Sequence, residues 1–102
     1  DNVKLFNGDM ANLLNFRFAR RYGLPDVIFT DPPRSGMAPA VINSIVEIYP
    51  KDIIYISCNP ATQARDIQDL SQHYKVIQVQ TVDMFPHTHH VENIIHLRRI
   101  LR

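Results

Sequence analysis

The chain has 102 residues, is 45% hydrophobic and carries a formal net charge of +1, which predicts one small globular domain and excludes a disordered chain. Its lone cysteine excludes an internal disulfide and suits a reducing compartment, so we expect the protein in the cytoplasm. No apolar run reaches the roughly 18 residues of a membrane span, and the first residue is not methionine, so we expect a piece of a larger protein without a membrane partner.

Apolar periodicity and turn residues predict eight elements in the order β-α-β-α-β-α-β-β. In chain order these are a strand at 3–6, a helix at 10–22, a strand at 26–30, a helix at 39–49, a strand at 53–57, a helix at 60–74, and strands at 76–82 and 93–100. Strands that alternate with helices predict an α/β fold with a mostly parallel sheet. The last two strands have no helix between them, so we expect them to pair antiparallel.

The helix predicted at 60–74 directly follows the third strand. It places four apolar residues on one face, and these are Ala61, Ala64, Ile67 and Leu70. Asp66 lies off that face, so we expect it to form a solvated pair with Arg65 worth a few tenths of a kcal/mol. Arg65 could instead face a site at the start of the helix.

Cys58 stands at the end of the third predicted strand, in Ser57-Cys58-Asn59-Pro60. Asn59 is a good helix N-cap and Pro60 suits the first helical position, so the thiol is predicted at a strand-to-helix junction. A helix N-terminus favours the thiolate, which is the nucleophilic form of cysteine. Cys58 is therefore a candidate covalent catalyst, and the alternative is a buried structural cysteine.

Acidic residues follow other strands of the predicted sheet. Asp9 and Asp31 come after the first two strands, and the carboxyl ends of parallel strands form the edge where such folds bind ligands. Two prolines stiffen the turn at 31–36, so Asp31 and Arg34 are expected to project in a fixed geometry. The alternative is an ordinary turn with a capping aspartate.

A loop rich in proline and histidine follows the fourth strand and leads to Glu92, a candidate general base. The three histidines at 87, 89 and 90 raise the question of a metal site. They lack a matching pair of cysteines and do not have the spacing of a zinc finger, so we predict no metal.

Three motifs in this order resemble those of the RNA uracil-5-methyltransferases, the S-adenosylmethionine-dependent enzymes that make 5-methyluridine in tRNA and ribosomal RNA. The motifs are Asp31-Pro32-Pro33-Arg34-Ser35-Gly36, Ser57-Cys58-Asn59-Pro60-Ala61-Thr62-Gln63-Ala64-Arg65-Asp66 and Asp83-Met84-Phe85-Pro86-His87-Thr88-His89-His90-Val91-Glu92. The resemblance implies a three-layer Rossmann-like methyltransferase fold. It also implies that Cys58 attacks C6 of the uracil and that Glu92 removes the C5 proton after methyl transfer.

The resemblance implies binding residues as well. Asp31 matches the position between the cofactor and the flipped uracil, and Asp9 lies where an acidic residue often contacts the cofactor's adenine. Arg34, Asn59 and Pro60 are expected to contact the RNA substrate.

The chain departs from the family because the glycine-rich strand-turn-helix that holds the cofactor is absent. Residues 1–102 are therefore expected to be the C-terminal part of the catalytic domain, with about half of the cofactor pocket. We predict that this piece alone neither binds S-adenosylmethionine tightly nor methylates RNA.

Alternative functions stay open at this point. An amino-group methyltransferase would carry an aromatic residue where this chain has Arg34, and it would need no cysteine. A non-catalytic RNA- or protein-binding module with a methyltransferase-like fold is a second alternative, and a metal-binding domain built on the histidine loop is a third. An unpaired sheet edge also favours a homodimer.

Overall fold

A computed structural model of the protein describes residues 3–7, 26–83 and 91–101. The described elements are β1 (Val3–Asn7), β2 (Val27–Asp31), α1 (Pro39–Ile48), β3 (Asp52–Ser57), α2 (Pro60–Leu70), β4 (Tyr74–Asp83) and β5 (Val91–Arg99). All five predicted strands and two of the three predicted helices are confirmed, with bounds that differ by up to four residues. The helix predicted at 10–22 lies outside the described residues.

The five strands form one sheet in the order β1-β2-β3-β5-β4. The strands β1, β2 and β3 pair in parallel, while β5 lies between β3 and β4 and is antiparallel to both. The mostly parallel sheet and the antiparallel last strand are therefore confirmed. This topology brings the first residues of β5 to the end of the sheet where β3 finishes, which is the carboxyl end of the parallel strands.

One face of the sheet is covered by the two described helices, which contact each other. The strand residues buried beneath them alternate along each strand, and they include Ile28, Ile53, Tyr55, Ile95 and Leu97. Residues of the opposite face, such as Ile54 and Ile94, are half-buried. The described residues thus form a sheet with one helical layer, and the second helical layer of a three-layer fold stays a prediction.

The inward face of α2 differs from the predicted one. Gln63, Asp66 and Leu70 are buried, whereas Ala61 and Ala64 are exposed. The buried residues follow the helical spacing i, i+3, i+7, and the two polar ones find hydrogen-bond partners inside the protein. Exposing the two small alanine side chains costs little apolar burial.

Helix α2 also ends earlier than predicted, at Leu70, and Tyr74 begins β4. The Ser71 N–H donates to the Gln68 carbonyl and the His73 N–H to the Leu70 carbonyl, so a short turn replaces the last helical turn. The side chain of Tyr74 is buried in the core beside Leu70.

Neither of the helices in the described ranges has the length and hydropathy needed to cross a membrane.

Candidate active site

Three of the predicted site residues lie at one edge of the sheet. Asp31 is the last residue of β2, and Cys58 directly follows β3; both are exposed. Because β5 is antiparallel to β3, its second residue, Glu92, lies at this edge as well. The structure therefore brings Asp31, Cys58 and Glu92 to one rim, while Asp9 lies outside the described residues.

The pairing of β3 with β5 relates Cys58 to Glu92. Ser57 and Asn93 form the last pair of the ladder, so Cys58, which follows Ser57, and Glu92, which precedes Asn93, both lie just beyond it at the same end of the sheet. The Glu92 Oε2 atom is buried and has no hydrogen-bond partner among the described residues. The role of Glu92 as a base stays a prediction.

The turn that carries Cys58 is held by its neighbours. The Ser57 hydroxyl accepts a hydrogen bond from the Asn59 N–H at 2.9 Å, and the Asn59 Oδ1 atom accepts one from the Ala61 N–H at 3.2 Å. Asn59 is the N-cap of α2 and Pro60 is its first residue, as predicted. Cys58 therefore projects from a turn that is fixed on both sides, at the N-terminus of a helix.

The loop that follows β2 is bound to the first turns of α2. The Arg34 carbonyl accepts hydrogen bonds from Asn59 Nδ2 and from the Thr62 hydroxyl, both at 2.9 Å. The Ser35 carbonyl accepts one from Arg65 Nη2 at 2.9 Å. The Asp31 motif and the Cys58 motif are consequently one connected unit. The predicted substrate contacts of Arg34, Asn59 and Pro60 stay predictions.

Asp66 is wholly buried, so the predicted solvated pair is wrong for this residue. Its Oδ2 atom accepts hydrogen bonds from the Tyr55 hydroxyl at 2.6 Å and from the Met37 N–H at 2.8 Å. Its Oδ1 atom pairs with Arg65 Nη2 at 3.0 Å. These partners offset the cost of burying a carboxylate. Burial and the nearby Asp66 raise the pKa of Tyr55, which keeps its hydroxyl protonated as a donor.

Gly36 lets the loop approach α2 this closely. Its φ angle is +85°, and a Cβ atom at this position would lie 2.6 Å from Arg65 Nη2 and 2.7 Å from Asp66 Oδ2. Both the backbone conformation and the lack of space therefore require glycine.

A buried amide joins the strands that carry the thiol and the carboxylate. Gln63 Nε2 donates to the Tyr55 carbonyl and to the Asn93 carbonyl, both at 3.1 Å, and Asn93 Nδ2 donates to Gln63 Oε1 at 3.0 Å. The sequence prediction missed the roles of Tyr55, Gln63 and Asp66. The available signal was the helical spacing of Gln63 and Asp66 with Leu70.

No group of three or more potential metal ligands occurs in the parts of the chain that the structure describes. The histidine loop lies outside those residues, so the absence of a metal site stays a prediction.

The chain is similar in sequence to known RNA methyltransferases. The sequence model of the tRNA (uracil-5-)-methyltransferase family matches residues 13–100. An uncharacterized RNA methyltransferase of Bacteroides thetaiotaomicron is 56% identical over 94 residues, which are 92% of this chain and 21% of that protein. A second one, from Porphyromonas gingivalis, is 48% identical over 97% of this chain and 22% of its own length.

A solved structure is similar as well. The Pyrococcus abyssi tRNA (uracil-54, C5)-methyltransferase, in complex with S-adenosyl-L-homocysteine, superposes with a TM-score of 0.65 at 41% identity. The match covers 72% of this chain and 18% of that protein. The chain therefore spans about a fifth of the length of the proteins that it resembles.

Proposed function

Because the chain belongs to the tRNA (uracil-5-)-methyltransferase family, we propose that it is the C-terminal part of an enzyme that methylates C5 of a uridine in tRNA or ribosomal RNA, in the cytoplasm. S-adenosylmethionine is the proposed methyl donor. The observation that carries the proposal is the pairing of β3 with β5, which ends at Ser57 and Asn93 and so brings the next residue of each, Cys58 and Glu92, to one rim.

Cys58 is the proposed nucleophile. The C5 atom of uracil is weakly nucleophilic, so it needs activation before it can take a methyl group. When the thiolate forms a bond with C6, the electron pair of the C5=C6 bond moves into an enolate, and C5 becomes reactive. S-adenosylmethionine, when bound, supplies the electrophilic methyl group. The exposed thiol and its fixed turn suit this attack.

Glu92 is the proposed base. After methylation, C5 carries both the methyl group and its original proton, and the enzyme is still bound to C6. The Glu92 carboxylate takes the proton, the C5–H electron pair restores the C5=C6 bond, and the C6–S bond breaks to release the Cys58 thiolate. The buried Oε2 atom without a hydrogen-bond partner among the described residues supports this role.

Exposed residues beside Cys58 are proposed to hold the substrate. A uridine must leave its stack before a thiol can reach C6. Asp31 would contact the flipped uracil and the methyl donor, and Arg34, which is exposed, would meet an RNA phosphate. Asn59 and Pro60 would line the same rim.

The described residues fit only part of a cofactor pocket. Asp31 is at the correct edge of the sheet, but the three glycines of the chain, at 8, 23 and 36, do not form a G-x-G loop. Asp9, proposed to lie near the adenine, is outside the described residues, and the contacts that a glycine-rich loop makes would come from outside this sequence.

The nucleophile is tested with a mechanism-based trap. The full-length protein that carries this chain is incubated with S-adenosylmethionine and RNA containing 5-fluorouridine. Fluorine cannot leave as the C5 proton does, so we expect a covalent protein–RNA complex that survives a denaturing gel. We expect Cys58→Ala to abolish this complex, because no thiolate can attack C6.

Two outcomes contradict the proposal. A normal complex in Cys58→Ala would exclude Cys58 as the nucleophile. No complex and no methylated RNA from the wild-type protein would favour the non-catalytic binding module. As a control, Glu92→Gln should still form the fluorinated complex, because the step that it blocks is already blocked by fluorine.

A further inference from the structure

We propose that Gln63 is a positioning residue that holds the beginning of β5, and with it Glu92, against the strand that leads to Cys58. This inference rests on the proposed function and deepens it. It concerns a side chain in α2 that lies behind the rim and is not expected to touch the RNA.

The contacts of Gln63 bridge two strands. The side chain is only 1% exposed, and its Nε2 atom lies 3.1 Å from the carbonyl oxygen of Tyr55 in β3 and 3.1 Å from that of Asn93 in β5. Both donors of the amide are therefore used to join these strands. Its Oε1 atom accepts from Asn93 Nδ2 at 3.0 Å, so Gln63 holds both the backbone and the side chain of Asn93.

The position of this bridge along the strands matters. The pairing of β3 with β5 ends at Ser57 and Asn93, because the chain turns at Cys58 to enter α2. Glu92, the residue immediately before Asn93, thus has no pairing partner in β3. The Gln63 amide binds β5 at the last paired residue, immediately beside the proposed base.

Asn93 is also held from the other side of β5. Its Oδ1 atom accepts a hydrogen bond from the Thr81 hydroxyl of β4 at 2.9 Å. With Gln63 removed, the beginning of β5 would keep its link to β4 but lose its side-chain link to β3, and among the described residues only the Asp52 pairs at the opposite end of the ladder would remain. We therefore expect the loss of Gln63 to shift β5 relative to β3.

Such a shift would affect the two proposed chemical steps unequally. The Cys58 turn is fixed by hydrogen bonds of Ser57 and Asn59 that do not use the Gln63 side chain. The Gln63 N–H also donates to the Asn59 carbonyl, and this backbone bond does not depend on the side chain at position 63. Attack on C6 should then proceed almost normally. Removal of the C5 proton depends on where Glu92 lies, and a displacement of about 1 Å can slow a step by about a hundredfold.

The test uses the full-length protein that carries this chain and RNA with ordinary uridine. Gln63→Leu keeps most of the side-chain volume and removes all three hydrogen bonds. We expect product release from the covalent adduct to slow by about tenfold to a hundredfold, with adduct formation within about twofold of the wild type. The adduct should therefore accumulate on a denaturing gel.

Gln68→Leu is the matched control, because Gln68 lies on the same helix and is exposed. It should release product as the wild type does. Equal slowing of adduct formation and release in Gln63→Leu would indicate a general structural effect and overturn the inference. Release at the wild-type rate would also overturn it.

Folding and function are separated by two further measurements. If Gln63→Leu does not fold, Asn93→Ala decides, since it removes the bond to Gln63 Oε1 and leaves both backbone contacts of Gln63. It also removes the bond from Thr81, so Thr81→Val, which removes that bond alone, is its control and should release product as the wild type does. Accumulated adduct in Asn93→Ala supports the inference, and wild-type release overturns it. If the wild-type protein forms neither adduct nor methylated RNA, the proposed function fails and this inference fails with it.

Discussion

A single buried carboxylate determines where the loop after β2 lies. Asp66 accepts hydrogen bonds from Tyr55 in β3 and from the Met37 backbone, and it pairs with Arg65, which in turn holds the Ser35 carbonyl. A carboxylate inside a protein is tolerated only with such partners, so each contact depends on the others. The loop that follows the exposed Asp31 is consequently held by residues of β3 and α2.

Gly36→Ala tests this close approach. The added Cβ atom would overlap Arg65 and Asp66, and φ at +85° is unfavourable for alanine. We expect the free energy of unfolding of the chain to fall by about 2 kcal/mol, measured by urea denaturation. Ser35→Ala is the control, because the structure uses the backbone carbonyl of this exposed residue. Equal stability of the two variants would contradict the role given to Gly36.

At the scale of the elements, β3 and β5 are joined by side chains at both ends of their ladder. Gln63 and Asn93 lie near the rim, and Asp52 lies at the opposite end. The Asp52 Oδ1 atom accepts from His96 Nε2 at 2.8 Å and from Arg98 Nε at 2.9 Å. These pairs help to hold β5 between β3 and β4.

The stability that Asp52 gives to the pairing of β3 with β5 depends on pH. Its partial burial raises the pKa, but the hydrogen bonds and charges of His96 and Arg98 outweigh this, so the pKa is lower in the folded state than in the unfolded chain. The resulting stability is present above the unfolded pKa, near pH 4, and is lost as the pH falls through the folded pKa.

Asp52→Asn should therefore lower the free energy of unfolding by about 1 kcal/mol at pH 7 and by less at pH 3. Urea denaturation across this range measures the difference. Asp69→Asn changes an exposed carboxylate of α2 and serves as the control. A difference between Asp52→Asn and the wild type that stays constant with pH would contradict the assignment.

The elements show which parts of the fold can be predicted from sequence. Alternating apolar residues predicted the strands, and Asn59-Pro60 predicted the start of α2, because these signals are local. The inward face of α2 was predicted wrongly, since the partners of Gln63 and Asp66 come from residues 8 to 30 positions away. The placement of Cys58 and Glu92 at one end of the sheet depends on β5 lying beside β3, which no local pattern specifies.

At the scale of the whole molecule, the described surface is unevenly covered. The edge strand β4 exposes Val76, Ile77 and Val79, and residues on the sheet face away from α1 and α2 are only half-buried. Apolar edges of this kind favour association with further protein. The homodimer predicted from the sequence stays a prediction. The relatives are longer than this chain, and in them additional residues could cover the same apolar surface.

The final prediction concerns the methyl donor. We expect the 102-residue chain alone to show no micromolar binding of S-adenosylmethionine in a calorimetric titration, because its three glycines form no G-x-G loop and Asp31 is the one proposed cofactor contact among the described residues. The full-length protein is the positive control and should bind. Micromolar binding to the isolated chain would show that residues 1–102 hold a complete pocket. Without such binding, the roles proposed for Cys58 and Glu92 would require that a cofactor site outside residues 1–102 deliver the methyl group to the rim on which they lie.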